Sequence, residues 1–254
     1  MDFSLVLTLL LGVSGLVLLA DAAFRKRRGR VASGTGESSV AQYARSLFPV
    51  ILIVLLIRSF VVEPFRIPSA SMMPGLVDGD FIFVNKFAYG LRLPVLNSTI
   101  ISTGHPQRGD VVVFRLPSDP SIHYIKRLIG LPGDHIVVRD NVIFINGARI
   151  PARRDGEYMG GYGFSGANLE VEQIGGRHHR IMLAQNRRST DCDTVVPPHS
   201  YFFMGDNRND SEDSRFAQVG FVQDRNLDGR AELIWMNWRI PGWPIWNRFG
   251  TRIN

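Results

Sequence analysis

Cysteine and lysine are scarce in this 254-residue chain, and each shortage narrows the chemistry that the sequence can support. Cys192 is the single cysteine, which excludes an internal disulfide and a cysteine-based zinc site. The 29 basic side chains include only three lysines, Lys26, Lys86 and Lys126. Because arginine keeps its proton in proteins whereas a buried lysine can lose it, each lysine is a candidate for proton chemistry.

A basic stripe interleaved with aromatic residues, the usual mark of a nucleic-acid-binding surface, is missing despite the formal net charge of +6. The densest basic cluster, Arg25–Arg28, lies instead between two apolar runs. We interpret this cluster as a determinant of membrane topology. The sequence therefore predicts no nucleic-acid partner, and it indicates neither a cofactor nor an oligomeric state.

Two apolar runs are long enough to span a lipid bilayer. The first, Phe3–Ala20, has 18 residues without a charge, and the basic cluster follows it. A cleavable signal peptide would place basic residues before such a run, whereas Asp2 precedes it here. The second run lies within residues 42–62, and a core helix is the alternative for it. The charge between the runs favours a cytoplasmic loop, with the chain before and after the two runs on the outer side.

These runs divide the chain into four predicted segments. Residues 1–23 form a first transmembrane segment, and residues 24–41 form a basic cytoplasmic loop that contains a flexible Ser/Gly-rich linker. Residues 42–62 form a second transmembrane segment. Residues 63–254 form an extracytoplasmic domain.

The segment after residue 63 has the pattern of a β-rich domain, because short β-branched and aromatic runs alternate with Gly, Pro, Asn and Asp. The predicted strands cover residues 81–84, 111–116, 122–129, 136–138, 142–145 and 201–204, with hairpin turns at 139–141 and 145–148. We therefore predict a mostly β, two-sheet domain preceded by two transmembrane helices. The Gly-rich residues 153–176 are interpreted as a surface excursion between strands.

Three polar stretches share some features with metal sites. His178 and His179 are adjacent, but no cysteine or carboxylate stands at ligand spacing, so we expect a solvated edge. The stretches around Arg208 and before Trp235 resemble calcium loops, yet these two residues occupy positions that require a ligand oxygen. We predict no metal site.

A rigid turn with two serines follows the second apolar run. Ser69 and Ser71 stand between Pro68 and Pro74, and each proline fixes its own φ and favours an extended residue before it. An ordinary loop that leaves a membrane helix is the alternative interpretation.

A nucleophilic serine needs a base, and most candidates fail. The six histidines lack an obvious aspartate partner, and no Gly-x-Ser-x-Gly elbow is present. Lys126 remains, since the Tyr, Ile and Leu residues around it would desolvate the ammonium and lower its pKa. A strand lysine on a solvated face is the alternative.

Three separated motifs resemble the signature boxes of bacterial type I signal peptidase (leader peptidase), a Ser/Lys-dyad protease family. They are Pro68-Ser69-x-Ser71-Met72-Met73-Pro74, Tyr124-Ile125-Lys126-Arg127 with Gly130-x-Pro132-Gly133-Asp134, and Gly205-Asp206-Asn207-Arg208 to Ser211-x-Asp213-Ser214-Arg215. Their order and spacing match, and with the two apolar runs the resemblance covers essentially the whole chain.

The resemblance implies a membrane-bound serine endopeptidase that removes signal peptides from exported preproteins after small-x-small sites. Ser71 would be the nucleophile, and Lys126 would act on it as a neutral general base. The Ser71 backbone N–H and the Ser69 hydroxyl would hold the oxyanion.

The resemblance also implies roles for three supporting residues. Ser211 would donate or accept a hydrogen bond that orients Lys126. Asp213 would pair with Arg127 and stiffen the site. The shallow apolar pockets for small substrate side chains would be formed by Phe65, Ile67, Met72, Leu76, Tyr124 and Ile125.

The implied location is the bacterial inner membrane, with two spans and a catalytic domain on the periplasmic side. An apolar surface of this domain would lie against lipid. All four tryptophans fall near the end of the sequence, at Trp235, Trp238, Trp243 and Trp246. Tryptophan favours the membrane interface, although core packing accounts equally well for one or two of them.

Other functions stay open from the residues alone. A self-cleaving repressor-type peptidase is a related Ser/Lys enzyme, but the two apolar runs count against it. A specialised pilus or conjugation maturation protease is the closer alternative, and the third box favours the general enzyme over it. A non-catalytic, membrane-anchored β-domain would have no reactive serine.

Overall fold

The computed structural model of the chain describes residues 3–28, 39–57, 62–92, 99–101, 103–185, 187–239 and 241–254. Two compact units divide the chain, one made of Met1–Val62 with Arg92–Ile100 and the other of Glu63–Leu91 with Ile101–Asn254. The Ser/Gly-rich linker predicted after the basic cluster lies outside the described residues for all but its last position.

Two apolar helices form most of the first unit. Helix α1 covers Phe3–Arg28 and helix α2 covers Ser39–Leu56, so α1 continues past its apolar run through the basic cluster. Both are long and apolar enough to cross a membrane. Few of their side chains are buried, which argues against the core-helix alternative for α2.

Apart from three short 3-10 helices, the regular structure in the rest of the described chain is β-strand, which confirms the prediction of a mostly β domain after two apolar helices. The strands are β1 (Val62–Arg66), β2 (Asp80–Asn85), β3 (Leu91–Arg92), β4 (Thr99–Ile101), β5 (Val111–Leu116), β6 (Asp119–Gly130), β7 (His135–Arg139), β8 (Val142–Ile145), β9 (Ala148–Arg149), β10 (Ala152–Glu157), β11 (Asn168–Ile174), β12 (Arg177–Leu183), β13 (Cys192–Val195), β14 (Ser200–Met204), β15 (Val222–Gln223), β16 (Leu227–Asn237) and β17 (Thr251–Arg252).

An eight-stranded sheet is the centre of the second unit. Its order is β1-β2-β16-β5-β6-β14-β15, and β17 pairs with β16. Smaller sheets have the orders β10-β11-β12, β13-β7-β8-β9 and β3-β4. The sequence predicted two sheets, whereas the described strands form four.

All six predicted strands are present, and so are both predicted hairpin turns. Asp140 and Asn141 join β7 to β8 with φ values of 49° and 64°, and Asn146 and Gly147 join β8 to β9 with 51° and 80°. Positive φ at both central residues matches the twist of a two-residue hairpin.

The interpretation of residues 153–176 as a surface excursion is wrong for much of that segment. It contributes most of β10 and the whole of β11 to the three-stranded sheet. Strand β11 contains Glu170 and Glu172, and Glu172 is buried in an ion pair. A buried acidic residue hides the apolar alternation by which a strand is recognised.

Alternation along β5 and β6 gives the central sheet an apolar core on each face. Val111, Val113 and Ile125 belong to one buried cluster, and Val112 and Leu128 belong to another. Because successive side chains on a strand point to opposite faces, the neighbours Lys126 and Arg127 are on opposite faces of this sheet. This separation determines the partners of both residues.

Candidate active site

Ser71 lies in a tight turn between β1 and β2, which we call the nucleophile turn (residues 69–77). Within it, the backbone N–H of Met73 donates to Ala70 O at 3.1 Å and that of Leu76 donates to Met72 O at 3.0 Å. Further along the chain, Asn207 donates to Ser71 O at 3.0 Å from its backbone. These bonds hold the serine without a helix, as the proline spacing predicts.

The Ser71 hydroxyl and the Lys126 amine are in direct contact. Lys126 Nζ lies 2.5 Å from Ser71 Oγ, although the two residues are 55 positions apart. Both are buried, with Ser71 8% and Lys126 4% exposed. Lys126 makes no ion pair with a carboxylate among the described residues. The structure thus brings together the two residues on which the predicted chemistry depends.

Burial lowers the pKa of Lys126 from 10.5 to about 8. The nearby carboxylates of Asp213, Asp206 and Glu212 oppose the shift, because a negative charge favours the ammonium, and the guanidinium of Arg215 adds to it. With such a pKa, about one molecule in ten holds the neutral amine at pH 7. A proton acceptor is therefore available near neutral pH.

Ser69 lies beside the nucleophile. Its Oγ is 3.3 Å from Ser71 Oγ, so a hydroxyl donor is within reach of a carbonyl that Ser71 attacks. This position is compatible with the predicted oxyanion role of the Ser69 hydroxyl and the Ser71 backbone N–H.

The predicted pair of Asp213 with Arg127 is wrong. Arg127 donates from Nε and Nη2 to the two oxygens of Asp206, each at 2.7 Å. Asp213 instead accepts from Arg215 Nε at 2.8 Å and from the Gly205 N–H at 3.0 Å. Strand β14 ends at Met204, which pairs with Arg127. Asp206 follows two positions later and therefore lies alongside the guanidinium.

The predicted hydrogen bond between Ser211 and Lys126 is also absent. Ser211 is buried, and its Oγ has no hydrogen-bond partner among the described residues. It packs against Gly205, where an added Cβ would collide with Ser211 Oγ and with Ser71 O. Glycine at 205 thus allows the polar stretch of residues 205–215 to approach the nucleophile turn, but Ser211 does not reach the amine.

The predicted substrate-pocket residues are brought together with one exception. A single buried cluster contains four of them, with a fifth partly buried against it: Ile67, Met72, Leu76 and Ile125, with Phe65 at the margin. Tyr124 is on the opposite face of the sheet, where it packs against the other cluster. Its ring centroid lies 5.4 Å from Lys126 Nζ.

A buried charge network in the same unit was not predicted. Arg208 donates to both oxygens of Glu172, at 2.8 and 2.5 Å, and His179 Nε2 lies 3.2 Å from Glu172 Oε2. Although burial alone would raise the pKa of Glu172, Arg208 lowers it to about 2. His179 is thus buried, not on a solvated edge as expected, and burial lowers the pKa of its imidazole. The difference arises because β12 pairs with β11, which places His179 opposite the buried Glu172.

The described residues contain no group of three His, Cys, Asp or Glu side chains that could hold a metal ion. Asp228, from one of the calcium-like stretches, lies in β16. It contacts His123 Nδ1 at 2.7 Å and Arg115 Nε at 3.3 Å.

Comparison with known proteins shows the family of the chain. Residues 40–238 match the model of the family described as signal peptidase, peptidase S26. The chain belongs to this family. Signal peptidase I of Pseudomonas fluorescens is 43% identical over 95% of this chain and 94% of the relative.

Two other family members show similar relationships. Signal peptidase I of Pseudomonas aeruginosa is 41% identical over 95% of this chain and 94% of the relative, and that of Rickettsia typhi is 37% identical over 82% and 84%. A crystal structure of a signal peptidase I from Enterococcus faecalis is 27% identical, covers 50% of this chain and 96% of that chain, and aligns with a TM-score of 0.31.

Proposed function

We propose that this chain is a membrane-bound serine endopeptidase that removes signal peptides from exported preproteins, cutting after small-x-small sites. Its family supports the reaction. The observation that carries the mechanism is the 2.5 Å contact between Ser71 Oγ and a buried Lys126 amine that has no ion pair among the described residues. A non-catalytic β-domain would have no need of this contact, since burying a lysine destabilises a fold.

The proposed reaction begins with the neutral amine of Lys126. As Ser71 Oγ attacks the scissile carbonyl, the amine accepts the hydroxyl proton, and the Ser69 hydroxyl and the Ser71 N–H stabilise the oxyanion. The ammonium then donates that proton to the departing amine, which leaves an acyl-enzyme on Ser71. The regenerated amine activates a water that hydrolyses the ester and releases the signal peptide.

The proposed pocket selects small side chains because its floor is part of a packed core. Ile67 and two residues of the nucleophile turn, Met72 and Leu76, are almost fully buried in the same core cluster, so this floor cannot move away to admit a large side chain. Phe65 is partly exposed at its margin. A preprotein with alanine-like residues at the cleavage site would fit such a surface.

We also propose that the second unit contacts lipid through an aromatic segment within residues 238–249. Trp243 and Trp246 are 90% and 69% exposed, which is unusual for side chains of this size. Trp235 differs, because it packs between Phe81 and Phe83 with ring centroids 5.6 and 5.4 Å away. Exposed tryptophans favour the membrane interface.

The location that we propose is the bacterial inner membrane, with both apolar helices spanning it and the catalytic domain on the periplasmic side. The basic cluster at the end of α1 supports this orientation, because basic residues favour the cytoplasmic side.

Substitution of either dyad residue tests the proposal. Ser71→Ala and Lys126→Ala should each abolish cleavage of a purified preprotein while circular dichroism shows an unchanged fold. Lys86→Ala is the matched control, because Lys86 is the other lysine of this unit and pairs with Glu63 at 3.0 Å. Wild-type turnover by Lys126→Ala would refute the assignment.

A further inference from the structure

An exposed carboxylate from the polar stretch is bonded to a residue of the strand that carries the amine. The Tyr124 hydroxyl donates to Glu212 Oε2 at 2.9 Å, across 88 positions of the chain. Tyr124 and Lys126 are two residues apart on β6 and therefore share a face. The bond fixes a side chain that is itself a neighbour of the amine.

The Tyr124 ring lies over the Lys126 amine, with its centroid 5.4 Å from Nζ. Lys126 is 4% exposed, whereas Glu212 is exposed and Tyr124 is partly exposed. The ring thus stands between the buried amine and the solvent-exposed carboxylate. If the ring moved, water would gain access to the amine.

We propose that Glu212 is a positioning residue for the reaction of Ser71 and Lys126, because its bond to Tyr124 holds the ring as a cover over the amine. Glu212 touches neither reacting group and acts through Tyr124. This inference rests on the proposed function, since a cover has consequences for catalysis only if Lys126 is the base.

Glu212 also acts on the amine through its charge. Among the described residues, the charged groups that act on Lys126 are Asp213, Asp206, Glu212 and Arg215, all from the polar stretch. The carboxylates favour the ammonium, whereas exclusion of water by the ring favours the neutral amine. The charge of Glu212 and its bond to Tyr124 therefore have opposite effects on the protonation of Lys126.

Two single substitutions separate these effects. Tyr124→Phe removes the bond but keeps the ring and the charge, so the released ring admits water and the basic limb of the pH–rate profile should move up by about half a pH unit. Glu212→Gln keeps an acceptor for Tyr124 but removes the charge, so the limb should move down by about as much. A purely structural role would change stability without moving the midpoint.

The experiment measures preprotein cleavage by the full chain between pH 6 and 10. Glu157→Gln is the control, because Glu157 is an exposed carboxylate on β10 that pairs with Arg154 and is not among the charges that face the amine. Its profile should match the wild type.

Opposite shifts of the basic limb in the two variants support the proposal that Glu212 holds the Tyr124 ring over the amine. Any other pattern, including coincident profiles or shifts in one direction, overturns it. Lys126→Ala separates this inference from the proposed function. If that variant still cleaves, the proposed function fails, whereas an inactive Lys126→Ala with unshifted Tyr124→Phe and Glu212→Gln profiles rejects only the role of Glu212.

Discussion

Lys126 brings an amine into a site where Ser71 and the ring of Tyr124 replace most of its water. Burial of a cation destabilises the folded state, and none of the described carboxylates offsets this with a direct ion pair. The same desolvation provides a neutral amine near neutral pH, which proton abstraction requires. On the proposed mechanism, this side chain lowers the stability of the fold in exchange for reactivity.

Replacement of Lys126 with Met should therefore stabilise the fold at pH 7 while abolishing cleavage. With a folded pKa of about 8 and an ordinary value of 10.5, the ammonium costs the folded state up to ~3 kcal/mol at pH 7. The cost is fully present below pH 8. It disappears as pH rises to about 10.5, because the folded chain releases its proton first.

Urea unfolding at pH 7 and pH 10 measures this difference. The variant should be more stable than the wild type at pH 7, and the gap should shrink at pH 10. A variant that is less stable at pH 7 would contradict the assignment of a desolvated amine.

The elements around Ser71 hold the nucleophile turn through residues far away in the sequence. Asp80, fully buried at the start of β2, accepts from the Val77 N–H at 2.8 Å and from Arg248 Nε at 2.7 Å. Arg248 also donates to Gly75 O at 2.8 Å. The segment before β17 thus supports the turn at its base.

Asp80→Ala should destabilise the fold by roughly 3 kcal/mol, because it removes the buried carboxylate that accepts from the Val77 N–H, Arg248 and Asn237. Asp78→Ala is the control, since Asp78 pairs with Arg239 at 3.4 Å in a partly exposed position and should cost less than about 1 kcal/mol. Chemical denaturation measures both. Equal losses would show that the buried anchor has no special role.

The sequence predicts elements where apolar pattern and structure agree, as in β5 and β6. It fails for β16, the strand between β2 and β5, because Asp228 and Glu232 interrupt the apolar pattern. Asp228 pairs with Arg115 on β5 and Glu232 accepts from Asn85 on β2, and these partners on neighbouring strands become visible only in the fold. The apolar pattern along one strand cannot reveal contacts between side chains of different strands.

The same limit applies to the candidate site. The motifs predict which residues meet, and Ser71 with Lys126 is found as expected. They do not predict the partner of Arg127, because that depends on where β14 ends against β6. The hydrogen bond between Tyr124 and Glu212 joins two separate motifs. The spacing of residues within each motif does not indicate how close the two motifs lie in the folded protein.

At the scale of the whole molecule, two apolar helices and an exposed aromatic segment both suit a membrane. We expect Trp243 and Trp246 to contact lipid, and Trp235 to remain within the protein. In the full chain reconstituted with brominated lipids, substitution of Trp243 and Trp246 with Phe should remove most of the lipid-dependent fluorescence quenching. Trp235→Phe should leave it intact, and quenching that survives the double substitution would contradict lipid contact.

The pH dependence of kcat/KM for preprotein cleavage tests the central claim most directly, because it reports the free enzyme's base. The account predicts that the wild-type rate rises through a single deprotonation near pH 8, the value that burial gives Lys126. A rate that is constant from pH 6 to 10, or that rises near ~6.5 as for histidine, would contradict it.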